Sequence, residues 1–199
     1  MKSVWRILLS ANSSRSLHGI VITRPFERLD PSLLVRLKHL GSTQPVLTVP
    51  NPLRIDISAT AVIFRAYGHY FKDNPCPLET VTFRAELNGE QSWAWYMSQI
   101  EESKKEESAE SWRLLDRVLS SPPFFDPGRR SSANRPPLKV KVVVALLNTK
   151  QSEEQKEWEA KILKVLKEVL VGMAECHQDN FSIVIDHVES NVPKGWDKY

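Results

Sequence analysis

The chain has 199 residues, 41% hydrophobic and 26% charged, the balance of a globular protein with one well-buried core. A formal charge of +3 is a smaller excess than dedicated nucleic-acid binders carry, and no apolar run approaches the roughly 20 residues of a membrane-spanning helix. Two cysteines, Cys76 and Cys176, are too few and too far apart for a disulfide scaffold. They read as free thiols in a reducing compartment, cytoplasmic or nuclear. Residues 1–26 hold Lys2, Arg6, Arg15 and Arg24 and no acid, the composition of a mitochondrial import signal, so that address stays open.

In chain order, Val4–Ala11 and His18–Arg24 read as short strands able to form a hairpin across the polar turn at Asn12–Ser16. Asp30–Gly41 reads as a helix: Asp30 at the N-cap, Pro31 in the first turn, Lys38 and His39 near the C-terminal dipole, Gly41 as the stop. Pro45–Pro50 reads as an edge strand. Leu53, Ile55 and Ile57 alternate with Arg54 and Asp56, and the β-branched pair Val62-Ile63 extends a strand expectation to about Tyr67. Lys72–Pro77 breaks the chain.

Asn88-Gly89 between two β-rich runs is the sharpest local signal, because a type I′ turn needs positive φ at both central residues. It predicts an antiparallel hairpin over Glu79–Gln99. Val81, Phe83 and Ala85 then share one face, and Thr82 and Arg84 share the other with Trp93 and Trp95. Ser103–Ser121 begins as a charge run and ends as an amphipathic helix with the stripe Trp112, Leu115, Val118 and Leu119. Residues 120–137 hold five of the thirteen prolines and no periodicity, which predicts a mobile loop.

Leu138–Leu147 reads as a strand that becomes wholly apolar from Val142, and Phe181–Val188 as another. Between them, Ser152 with Gln155 forms a capping box. Trp158, Ile162, Val165, Leu166, Val169 and Met173 give one long helix an apolar face to about Cys176. About twenty-five helical residues span roughly 37 Å, too long for an easy return to a neighbouring strand. The sequence shows no internal repeat. These elements predict one α+β domain over 1–199. Its sheet is mostly antiparallel, of seven or eight strands, packed by a long C-terminal helix and two shorter ones, with a short tail at 190–199.

The chemistry-bearing patterns are weak. Cys176-His177 are adjacent at a helix end, where side chains diverge, and no Gly-x-Ser-x-Gly elbow exists. None of the five histidines falls at metal-ligand spacing, and the seven glycines form no phosphate cradle. Glu101-Glu102, Glu106-Glu107 and Glu153-Glu154 sit near helix starts, where the dipole favours them. No catalytic residue, metal or cofactor is therefore expected.

Candidate contact residues are Arg84, Trp93 and Trp95 on the hairpin, Phe124 and Phe125 in the proline-rich loop, and Trp196 in the tail. They predict a non-enzymatic protein–protein interaction module, a small subunit or adaptor of an intracellular hetero-complex. The alternatives are an RNA-associated protein, such as one of a mitochondrial ribosome-like assembly, and an enzyme whose site is built from scattered residues.

Overall fold

A computed structural model describes residues 19–22, 39–46, 57–72, 76–88, 93, 97–98, 100, 109–147 and 152–188, with strands 19–22 and 39–46 described as backbone only. The elements are β1 (Gly19–Ile22), β2 (His39–Val46), α1 (Ser58–Tyr70), β3 (Thr80–Asn88), α2 (Glu110–Leu119), α3 (Pro127–Ser132), β4 (Lys139–Leu147), α4 (Glu153–Val169), α5 (Val171–His177), a 3-10 turn (Gln178–Asn180) and β5 (Phe181–Val188).

The strands form one sheet in the order β1-β2-β3-β4-β5, and every pairing is parallel. This corrects the expectation of seven or eight mostly antiparallel strands. Asn88 does end a strand, but β3 pairs in parallel with β2 on one side and β4 on the other, so no Asn88-Gly89 hairpin forms. The ladder positions a hairpin would fill are taken by strands that arrive from far along the chain. No helix among the described residues is long and apolar enough to cross a membrane.

Two local expectations fail for related reasons. His39, Leu40 and Gly41 lie in β2, paired with Thr80, Val81 and Thr82, rather than at the end of a helix; residues 30–38 lie outside the described set. Residues 58–70 are helix, not strand. Ala61, Phe64, Tyr67 and Phe71 recur every three or four residues and are all buried, whereas Val62, Arg65, Ala66 and His69 are exposed. Helical period outweighs the β-branched content of the same stretch. Val4–Ala11 lies outside the described residues.

The described helices cover one face of the sheet. On β3 that face carries Val81, Phe83, Ala85 and Leu87, in register with Val140, Val142, Val144 and Leu146 of β4. All eight belong to the main apolar cluster together with Phe64, Trp112, Leu115, Trp158, Ile162 and Met173 of the helices. Phe64 of α1 meets Phe83 with ring centroids 5.4 Å apart and Phe124 edge-on at 5.8 Å, so Phe64→Ala costs about 3–5 kcal/mol. The 120–137 segment is built into this layer: it contains α3, and it places Phe124 in the core against Tyr67.

The long C-terminal helix is broken at Leu170 into α4 and α5. Ser152 caps α4 as its spacing implies, accepting the Gln155 N–H at 3.1 Å. The second piece is capped from elsewhere. Asp116 of α2 accepts the backbone N–H groups of Gly172 at 3.0 Å and Met173 at 2.7 Å. The break shortens the crossover enough for β5 to lie directly beside β4.

Gly172 is required by this contact: a Cβ there would stand 2.8 Å from both Asp116 Oδ2 and Ser120 Oγ. Gly172→Ala is expected to destabilise the protein by about 1–3 kcal/mol in urea unfolding. Gly128→Ala, whose Cβ would meet only Asp126 Oδ1 at 3.8 Å, is expected to be neutral or to stabilise by up to about 1 kcal/mol.

Candidate functional site

Parallel sheets are normally covered on both faces and made of continuous apolar runs. Here the face opposite the helices is polar. On β3 it carries Thr80, Thr82, Arg84 and Glu86, all half-buried; on β4 Lys139 and Lys141 are exposed; on β5 Ser182 and Val184 are exposed and Asp186 half-buried. Strand alternation produces this face directly, since these residues alternate with those of the helix-covered side, such as Val81, Phe83, Val140, Val142 and Ile183.

Register brings them together. Thr82, Lys141 and Ser182 lie in one row, Arg84, Val143 and Val184 in the next, and Glu86, Ala145 and Asp186 in the one after. The Arg84 guanidinium donates from Nε to Glu86 Oε1 and from Nη1 to Asp186 Oδ2, each at 3.0 Å. Asp186 is two strands away, roughly 10 Å across the ladder. The side chain therefore spans β4, and small Ala145 in the Asp186 row leaves it room. Partial burial works against the charge on Arg84, but the bonds to Asp186 and Glu86 outweigh it and raise its pKa. Val143 and Ala145 beneath are buried yet stand outside the main apolar cluster.

The face thus has two halves. Its start, where the strands begin, carries Lys139 and Lys141 among the hydroxyls of Thr80, Thr82 and Ser182. Its end carries one guanidinium against two carboxylates. Val184, 37% exposed, is the apolar residue between them.

Of the residues singled out by sequence, Arg84 lies at the centre of this face. Trp93 is buried on the other side, its ring 5.3 Å from that of Trp158. Phe124 is buried in the core and Phe125 is half-buried edge-on to His177 at 5.5 Å, so neither joins Arg84. Trp95 and Trp196 lie outside the described residues. Glu86, Lys141, Val184 and Asp186 were not singled out. Their signal was present, since polar residues at every second position of a strand mark a solvent-facing side, but the rows they form depend on pairings that local sequence does not encode.

The two thiols show little reactive potential. Burial pushes the Cys76 thiol up to about 11 against the pull of Arg130 and Arg135. Burial also raises Cys176, helped by the neighbouring carboxylates Glu175 and Asp116. A thiolate nucleophile needs the opposite shift. No group of three metal-ligating side chains occurs among the described residues. At the far end of the sheet, Gln155 Nε2 stands 2.7 Å from Glu159 Oε1 and 3.2 Å from His187 Nδ1, and His187 Nε2 lies 3.4 Å from Glu159 Oε1. Comparisons with protein-family models, with curated proteins and with solved structures find no match.

His177 is buried at the end of α5 with Nε2 2.9 Å from the Leu119 carbonyl. Burial lowers its pKa below the ordinary 6.5, and Arg130 lowers it further, while contacts with the Leu119 and Leu138 backbones pull it back. Between the folded value and 6.5 the unfolded chain holds a proton that the folded chain lacks. Stability is therefore expected to fall as pH drops through 6.5, with a slope of at most about 1.4 kcal/mol per pH unit from this residue. Urea unfolding at pH 7.5 and 5.5 tests it, and His177→Gln is expected to remove that part of the pH dependence.

Proposed function

We propose that the chain is a non-enzymatic protein-binding module, a subunit or adaptor of a hetero-complex, and that it binds through the strand face centred on Arg84. The observation that supports this reading is the asymmetry of the sheet among the described residues: five parallel strands in sequence order, the described helices on one face, and a polar, partly charged face on β3, β4 and β5 opposite. Architectures that stack helix–strand units in sequence order use such extended surfaces for binding. The surface is a mosaic of lysine, valine and a guanidinium–carboxylate cluster, which suits a partner presenting an acidic group, an apolar group and a basic group in turn. Complementary charge of this kind sets register and partner choice more than affinity.

An RNA partner would rest on the same Lys139 and Lys141. The two carboxylates at the other end of the same face argue against it, because a phosphate backbone asks for a clustered excess of cations.

The test is capture from native extract with cross-linking, comparing the wild type with Lys141→Glu/Val184→Asp on the strand face and Lys164→Glu on the outer side of α4. The strand-face variant is expected to lose the captured protein while its unfolding midpoint stays within about 0.5 kcal/mol of wild type, and Lys164→Glu is expected to keep it. Capture that survives the strand-face change, or that nuclease treatment abolishes, would refute the reading.

Arg84→Ala separates binding from stability. Because the ion pairs are partly exposed, the substitution is expected to cost no more than about 1 kcal/mol in unfolding, yet to weaken partner binding at least tenfold.

A further inference from the structure

A cavity of about 350 Å³ opens beside the starts of β4 and β5, between α3, the 133–138 segment and the end of α5. Its wall includes Phe125, Arg130, Asn134, Arg135, His177 and Asn180. Arg130 is buried, at 5% exposure, and among the described residues its guanidinium bonds to backbone carbonyls: Pro136 from Nε at 2.8 Å, Leu78 from Nη2 at 2.7 Å and Cys76 from Nη1 at 3.5 Å. No carboxylate among the described residues lies within ion-pair distance of it. Buried charges are ordinarily paired, because an isolated one loses its hydration without return. Three carbonyls occupy three of the five N–H donors and supply no negative charge.

Arg135, also on the cavity wall, has no ion pair among the described residues either, and it lies close enough to Arg130 to work against its charge. The acid of the wall, Asp126, is already engaged. Its Oδ1 accepts the Arg129 N–H at 2.9 Å and its Oδ2 lies 3.3 Å from Arg129 Nε. Two arginines therefore line a space whose one carboxylate is already engaged by Arg129, and Phe125 and Leu138 supply an apolar wall.

We propose that this cavity binds a small amphiphilic anion: a carboxylate or phosphate monoester set against Arg130 and Arg135, carried on an aromatic or short aliphatic body that packs on Phe125. The anion supplies in direct contact the negative charge that Glu79 offers Arg130 only from beyond ion-pair distance, in a partly enclosed site where such pairing is strengthened. The site is separate from the strand face around Arg84 and does not depend on a protein partner.

The experiment titrates the full chain with benzoate, phenyl phosphate, inorganic phosphate and neutral benzamide, read by amide NMR shifts and by thermal unfolding. One of the two aromatic anions is expected to saturate, to move the amides of residues 130–138 and 176–180, and to raise the melting temperature. Which of them binds tighter identifies the headgroup. Benzamide is expected to bind at least tenfold more weakly, inorganic phosphate more weakly than phenyl phosphate, and Arg135→Ala to lose at least tenfold in affinity. Should Arg135→Ala not fold, the benzamide comparison on the unaltered chain decides. Equal binding of benzamide, unchanged affinity in a folded Arg135→Ala, or failure of both aromatic anions to saturate would overturn the proposal.

Discussion

The carboxylate of Asp116 is the contact on which closure of the sheet depends. A continuous helix from Glu153 to His177 would carry the chain roughly 37 Å along its axis, well beyond the point from which an eight-residue strand could return beside β4. The break at Leu170 solves this, and a helix start in a protein interior needs acceptors for its free N–H groups. No side chain of α5 or its N-cap provides them. Asp116 does so from α2, fifty-six and fifty-seven residues earlier in the chain, and so ties the middle helix layer to the last crossover. Cys176 Sγ and His177 Nε2 add contacts to the carbonyls of Ser120 and Leu119 at the other end of α5.

With the described helices gathered on one side, the two faces of β3, β4 and β5 have different chemistry, and this asymmetry produces the candidate binding surface. The helix-covered side selects Val, Phe, Leu and Ile; the other tolerates Thr, Lys, Arg, Glu and Asp. A doubly covered parallel sheet could not accommodate Arg84 and Asp186 at adjacent rows without burying both charges at several kcal/mol each. Here they remain partly hydrated, and their pairing organises the surface more than it stabilises the fold.

Parts of this were legible in the sequence and parts were not. The strand at 139–147, the cap at Ser152, the apolar stripe of α4, the strand at 181–188 and the helix around Trp112, Leu115 and Leu119 follow from period and capping, which are local properties. Pairing direction is not local. Asn88-Gly89 has the turn chemistry of a hairpin, yet residue 80 pairs with 139 and 39, so the decisive partners lie beyond any window a turn motif can report. Residues 57–67 carry both β-branching and a helical period, and the helix that forms uses its periodic face to pack Phe64 on Phe83. Arg84 stood out as a candidate because of its residue type; Asp186, 102 residues later, acquires its role only through register. Arg130 sat in a segment expected to be unstructured, and nothing in its neighbourhood signals that it bonds carbonyls 52 and 54 residues away.

The order of the sheet has a further consequence for how the molecule comes apart. Each strand shares its hydrogen-bond ladder only with the strands before and after it in sequence, so backbone pairing passes from neighbour to neighbour, while the apolar cluster under the sheet and the Arg84–Asp186 bridge reach further. An edge strand with its crossover can detach while the interior pairs β3 and β4 stay joined, which is how partial opening in cooperative units arises. Amide hydrogen exchange along β3, β4 and β5 would then decay as a gradient from the centre outward, and the Arg84–Asp186 bridge would act as a latch that holds the last unit to the one before its neighbour.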